Sequence, residues 1–192
     1  RWRATRLSEK GEAEARTALR AMGYYKPDVS LELDQSETCW RASVKVTPGP
    51  RVEIQTVDVK LVGPGSDDDE FQSVLAALPV RVGEPLNHKH YESSKQTIAN
   101  HAIAHGYLDG RFITTKLGVD VANNAAHIEL LYETGKRYSL GEVDFEQDVL
   151  NPELVDRFAR APTGEPYDSD DIVEINKRLS LSGYFDSVDL RP

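Results

Sequence analysis

Cysteine is almost missing from this sequence: one residue of 192, Cys39, carries a thiol, so no disulfide can close within the chain and no Cys-x-x-Cys zinc or redox spacing exists. Positive charge is also short. Against 32 Asp and Glu stand 23 Lys and Arg, a net charge of −9, which leaves no basic surface to neutralise nucleic-acid phosphates or anionic headgroups. Nucleic acid is therefore not an expected partner. No apolar run approaches the roughly 20 residues that span a bilayer as a helix. Arg1-Trp2-Arg3-Ala4-Thr5-Arg6 has no apolar stretch behind it that reads as a signal peptide, so any anchor or export signal is expected outside these residues. Nucleophile and phosphate motifs are missing too, with neither Gly-x-Ser-x-Gly nor Gly-x-x-x-x-Gly-Lys-Ser present.

What remains is a chain that should fold. Apolar residues make up 39% and charged residues 29%, well away from the profile of disorder. The length allows one large domain or two to three small ones. Composition alone favours a cytosolic origin.

Internal repetition organises the sequence. Gly23-Tyr24-Tyr25, Gly106-Tyr107-Leu108-Asp109 and Gly183-Tyr184-Phe185-Asp186 each close a helical pattern and open a strand pattern, at spacings of 106 − 23 = 83 and 183 − 106 = 77 residues. Beside them, Thr47-Pro48-Gly49-Pro50-Arg51-Val52 with Val57-Asp58-Val59 aligns with Thr134-Gly135-Lys136-Arg137-Tyr138 and Val143-Asp144-Phe145, Gly49 and Gly135 being 135 − 49 = 86 apart. A third pair is Gly83-Glu84-Pro85-Leu86-Asn87 and Gly164-Glu165-Pro166-Tyr167-Asp168. The glycines before the tyrosines sit where a left-handed helix C-terminus needs them, which predicts a positive φ at Gly106.

Periodicity fills in the elements. An amphipathic helix from Leu7 or Ser8 to Met22 turns Ala15, Leu19 and Met22 inward and leaves Glu12 and Arg16 largely outside. Two more long helices run from Asn87 to His105 and Asp168 to Ser182, with Asn87 and Asp168 as N-caps. Shorter helices span Asp68 to Leu78 and Pro152 to Ala161. Strands are expected around Val29 to Leu33, Trp40 to Val46, Val57 to Leu61, Ile113 to Val121, Ile128 to Tyr132, Val143 to Phe145 and Val188 to Leu190. One complete β-α-α-β-β unit occupies 50–135. It is preceded by a partial unit, 1–49, without its opening strand and short helix, and followed by a third, 136–192, without its last strand.

This order, with a Gly-Tyr turn between long helix and second strand, resembles the POTRA domain. The wording of Gly23-Tyr24-Tyr25-Lys26-Pro27, Val46-Thr47-Pro48-Gly49 and Gly183-Tyr184-Phe185-Asp186-Ser187-Val188 is similar to the translocation and assembly branch of the outer-membrane barrel-assembly family. The resemblance implies an α+β fold of tandem repeats, each a small three-stranded sheet covered by two helices. It also implies a non-catalytic periplasmic scaffold without cofactor at the outer membrane. Its partners would be outer-membrane or autotransporter clients, a TamB-like inner-membrane-anchored protein, and a C-terminal membrane β-barrel of the same protein. A repeat array from the central barrel-assembly protein or a two-partner secretion transporter is the nearest alternative.

For binding, the expected mode is strand addition to an open sheet edge. The candidate strand alternates Ile113, Thr115, Leu117, Val119 and Val121 inward. The interaction residues are Phe112, Thr114, Lys116, Gly118 and Asp120, the last four facing outward. An enzyme built on the histidines is the competitor of another class. His88, His90, His101 and His105 cluster, and His101 with His105 is an i, i+4 pair suited to zinc. His101-Ala102-Ile103-Ala104-His105 lacks the adjacent Glu of a metalloprotease, so part-buried or solvated histidines, and no metal, are expected. Asp67-Asp68-Asp69-Glu70 reads as helix N-terminal charge and lacks a calcium-loop pattern. Cys39 falls out of phase with Trp40, Ala42 and Val44, on an outer face or edge.

Overall fold

The computed structural model describes residues 2–35, 39–142, 146, 150–158 and 162–189. Helix α1, Trp2–Ala21, leads to strands β1, Asp28–Gln35, and β2, Trp40–Thr47, which pair antiparallel from Asp28↔Thr47 to Gln35↔Trp40. The helix starts earlier than periodicity indicated. Its inner face also differs: Glu12 and Arg16 turn towards β1, and Met22 is exposed. The reason is hydrogen bonding. The outer edge of β1 carries backbone groups that need partners; Leu31 N–H donates to Glu12 Oε1 at 3.0 Å, while Arg16 Nη2 and Ser8 Oγ donate to the carbonyls of Val29 (2.7 Å) and Leu31 (2.8 Å).

The next stretch runs β3, Glu53–Val62, a 3₁₀ turn at Pro64–Asp67, α2, Asp69–Ala76, α3, His88–Ala104, β4, Arg111–Asp120, and β5, Ala125–Glu133. The three strands form one sheet in the order β3-β5-β4. Period-two burial is clearest along β5, where Ala126, Ile128, Leu130 and Tyr132 are buried. Helices α4, Pro152–Phe158, and α5, Ser169–Leu181, follow. The expected strand at Val143 to Phe145 lies outside the described residues, as does the end of the short helix at Ala159 to Ala161. Val188 and Asp189 are irregular rather than extended in a sheet. Leu190, the end of that expected strand, lies outside the described residues.

Helix starts are set by side-chain caps. Asp68 Oδ1 accepts from Glu70 and Phe71 N–H at 3.0 and 3.3 Å, Asn87 Oδ1 from Lys89 N–H at 2.9 Å, and Asp168 Oδ1 from Asp170 N–H at 2.8 Å.

Two compact units make up the chain, one of Arg1–Val59, Ala77–Gln96 and Thr114–Leu130, the other of Lys60–Ala76, Thr97–Ile113 and Leu131–Pro192. The first has a core around Val52, Ile54, Leu86, Ile128 and Leu130. The second is built on Phe71, Ile98, Ala102, Tyr132, Ile175 and Leu179. Full burial of each large apolar side chain stabilises by about 1.5–3 kcal/mol.

Candidate interaction surfaces

Each compact unit encloses one Gly-Tyr corner onto which a later strand docks, and the two corners use the same bonds. In the first, Gly23 has φ +91°, and the Gly23 and Tyr24 N–H groups donate to the carbonyls of Arg20 and Leu19, both at 2.9 Å. In the second, Gly106 has φ +83°, and the Gly106 and Tyr107 N–H groups donate to Ile103 (3.3 Å) and Ala102 (2.8 Å). These bonds satisfy carbonyls that the helix end would otherwise leave open.

The docking strands repeat just as closely. Val52 N–H donates to Gly23 O at 2.9 Å and Leu86 N–H to Val52 O at 2.8 Å; Tyr138 N–H donates to Gly106 O at 2.8 Å and Tyr167 N–H to Tyr138 O at 2.9 Å. Arg51 Nε donates to Met22 O at 2.9 Å with its guanidinium 5.4 Å from the Tyr24 ring centre, and Arg137 Nε donates to His105 O at 2.9 Å with its guanidinium 5.7 Å from Tyr107. The Gly-Glu-Pro signals acquire a role here. Gly83 N–H donates to Ile54 O and Ile54 N–H to Glu84 O, as Gly164 N–H does to Leu140 O and Leu140 N–H to Glu165 O. A Cβ on Gly23 would stand 2.4 Å from Leu86 O, and one on Gly106 3.0 Å from Tyr138 O.

The second corner is the more highly charged. Asp68 accepts from the Tyr107 hydroxyl at 2.9 Å and lies 3.8 Å from Arg137. Burial works against its charged form, but Tyr107, the Phe71 and Glu70 N–H groups and Arg137 together hold its carboxyl below the usual range. Burial and the bond to Asp68 push the Tyr107 phenol up. His105 Nδ1 lies 3.1 Å from Asp168 Oδ2 and 3.6 Å from Glu70 Oε2. His101 lies with its ring 4.2 Å from that of His105 and edge-on to Phe71 at 4.7 Å. Burial, then the neighbouring His105 charge, lowers the His101 pKa, against the pull of Asp68 and Glu70. His88 accepts or donates at Nε2 to the Tyr25 hydroxyl, 2.7 Å away. Among the described residues no group of three or more His, Cys, Asp or Glu is placed to hold a metal ion.

Strand β4 forms one edge of the three-stranded sheet. Lys116, Gly118 and Asp120 are exposed along it, Lys116 pairing with Glu129 at 3.2 Å and Asp120 closing the turn to Asn123. The alternation is not continuous, however. Phe112 and Thr114 are half-buried, Ile113 is 54% exposed, and Thr115 is exposed next to Lys116. The inward set is therefore Phe112, Thr114, Leu117 and Val119, with the phase changing at Thr115-Lys116. The larger ring of Phe112 decides the first half by packing edge-on against Tyr132 at 4.8 Å. Val121 is exposed beyond the strand end, and Cys39 is exposed before β2.

The first 48 residues match the family model described as POTRA domain TamA domain 1. A solved structure of POTRA3-5 of BamA from Haemophilus influenzae aligns over 95% of this chain and 72% of its own length, at 19% identity and a TM-score of 0.53. The chain has the fold of POTRA domains. A weaker likeness is to POTRA1-2 of Omp85 from Anabaena, covering 69% of this chain and 79% of that one at 16% identity and a TM-score of 0.44. Within the POTRA fold, sequence reasoning found the Gly-Tyr corners but not what sits on them. Arg51 and Arg137 occupy the same position after Gly49 and Gly135 and were the available signal.

Proposed function

We propose that this POTRA chain is a non-catalytic scaffold on the periplasmic side of the Gram-negative outer membrane, divided as 1–49, 50–135 and 136–192. It hands client outer-membrane or autotransporter polypeptides towards a C-terminal membrane β-barrel and works with a TamB-like inner-membrane-anchored partner. Clients bind by strand addition at β4, through backbone bonds flanked by Phe112, Thr114, Lys116, Gly118 and Asp120. The observation that carries this reading is the position of β4 at the sheet edge with Lys116, Gly118 and Asp120 exposed along it. Backbone pairing depends little on client side chains, which suits a factor that meets many sequences. Lys116 also discourages indiscriminate pairing.

Proline at Thr114 or Lys116 removes a backbone donor. One of the two should abolish binding of an unfolded barrel-strand peptide, measured by fluorescence anisotropy, with unchanged circular dichroism. If both variants fold normally and bind with unaltered affinity, β4 is not the client edge.

A further inference from the structure

Helices α1 and α3 hold their following strands by different means. At the common spacing of 106 − 23 = 83 residues, Ser8, Ala15 and Leu19 correspond to Tyr91, Ile98 and Ala102. Tyr91, Ile98 and Ala102 are buried. The stripe of α1 made by Ser8, Gly11, Glu12, Ala15, Arg16 and Leu19 is only half-buried and largely polar. With Ser8 and Ala15 in the places of Tyr91 and Ile98, apolar burial contributes less to holding α1, and three of its side chains bond to the backbone of β1 instead. Arg16 Nη2 donates to Val29 O, Leu31 N–H donates to Glu12 Oε1, and Ser8 Oγ donates to Leu31 O. We propose that α1 acts as a surrogate strand, plugging the outer edge of β1 against the addition of an extended polypeptide, with β1 a latent acceptor beneath it.

The three contacts reproduce what a neighbouring strand offers. Along an open edge, alternate residues turn both backbone groups outward, so an added strand presents a donor to Val29 O, an acceptor to Leu31 N–H and a donor to Leu31 O. Arg16, Glu12 and Ser8 present the same series of donor, acceptor and donor from one face of the helix. Glu12 and Arg16 also pair with each other at 3.3 Å, which holds both in place. Gly11 lets the helix come close, since a Cβ there would stand 2.7 Å from Leu31 Cδ1, and glycine is otherwise unfavourable inside a helix. On β4, the counterpart of β1, Arg111, Lys116 and Asp120 turn to Glu133, Glu129 and Asn123, and among the described residues no side chain of α3 bonds to the strand backbone. The consequence of the plug rests on the client reading: with β1 closed, strand addition falls to β4. The plug itself does not rest on it.

The test uses the ¹⁵N-labelled 192-residue chain and a peptide copying β2, Trp-Arg-Ala-Ser-Val-Lys-Val-Thr, a sequence already matched to β1. In the unaltered chain the Leu31 amide should exchange with solvent on the order of tenfold more slowly than the Leu33 amide, which faces the same edge and among the described residues has no side-chain acceptor. Glu12→Ala should remove the difference. The chain carrying Ser8→Ala, Glu12→Ala and Arg16→Ala together should show saturable peptide shifts at the Leu31 and Leu33 amides, and the unaltered chain should show none there. A Leu31 amide that exchanges as fast as Leu33 in the unaltered chain overturns the proposal, and that measurement needs no variant to fold. Peptide shifts at β1 in the unaltered chain, or their absence from a folded triple variant, would overturn it as well. Every readout lies on β1, so failure of client binding at β4 leaves these results standing, and the proline variants of β4 test that reading separately.

Discussion

A helix that ends in a left-handed glycine leaves its final carbonyl turned outward, and here that carbonyl becomes an acceptor for the chain some thirty residues on. The glycine conformation was legible from Gly-Tyr at the end of an apolar periodicity. The arginine's role was not, because its repeated place after Gly49 and Gly135 marks the position but not the carbonyl that it bonds so far back in sequence. Gly23→Ala and Gly106→Ala should each lose about 1 kcal/mol or more from the positive φ. Gly23→Ala should lose more than Gly106→Ala, because its Cβ faces a carbonyl oxygen at 2.4 Å rather than 3.0 Å. Gly183 has no described neighbour within 4 Å of such a Cβ, so among the described residues Gly183→Ala meets the conformational cost alone, and the melting temperatures should rank Gly183→Ala above Gly106→Ala above Gly23→Ala, with steps of about 2–4 °C per kcal/mol.

The second corner also sets a pH dependence. His101 is held below its ordinary value, so folding favours its neutral ring. That contribution is complete above the ordinary histidine value of about 6.5 and is lost as pH falls through the lowered native one. Asp68 is a depressed carboxyl, so its contribution is complete above about 3.9 and disappears on further acidification. The groups facing His101 are His105 just past the end of its own helix, Asp68 capping α2, Glu70 in its first turn, and Arg137. Urea midpoints should therefore fall in two stages on acidification. His101→Leu should flatten the stage just below neutrality and leave the acidic one. An unchanged profile in that variant would assign the first stage elsewhere.

At the scale of elements, what the sequence pattern made plain was the presence and order of helices and strands, since 3.6- and 2-residue periods are local properties. Faces were less legible where two demands competed. In α1, Glu12 and Arg16 read as solvent residues but serve the open backbone of β1, a need that no helical projection displays. In β4, Ile113 and Phe112 are both apolar neighbours, and only the position of Tyr132 across the sheet decides which turns in. The caps were legible because they are local. Asn87→Ala should cost about 1 kcal/mol, an ordinary cap loss. Asp68→Ala should cost clearly more, because the same carboxylate also takes the Tyr107 hydroxyl and faces Arg137. Chemical denaturation of the two variants gives the comparison. Equal losses would mean that the Tyr107 and Arg137 contacts contribute nothing.

For the whole chain, the spacing of the Gly-Tyr signals was visible at once, whereas what gathers around each corner was not. Each compact unit encloses a corner together with the strand and helix start that dock there. This follows from where the hydrogen bonds go. At 51–54 and 137–140 the chain bonds both to the preceding corner and to its own Gly-Glu-Pro segment, which ties successive repeats through backbone donors rather than through exposed side chains. Amides in such a joint should exchange slowly, as sheet amides do, and not at the rate of a surface connection. Arg51→Lys and Arg137→Lys keep the charge but lose the planar fork that places Nε at the carbonyl. We expect faster hydrogen exchange at Val52 and Leu86 in the first variant and at Tyr138 and Tyr167 in the second, each confined to its own corner. Uniform acceleration across both corners would mean global destabilisation rather than a joint opening. Unaltered exchange would mean that the backbone bonds hold the joint without the arginine, and that the arginine selects the docking strand only during folding.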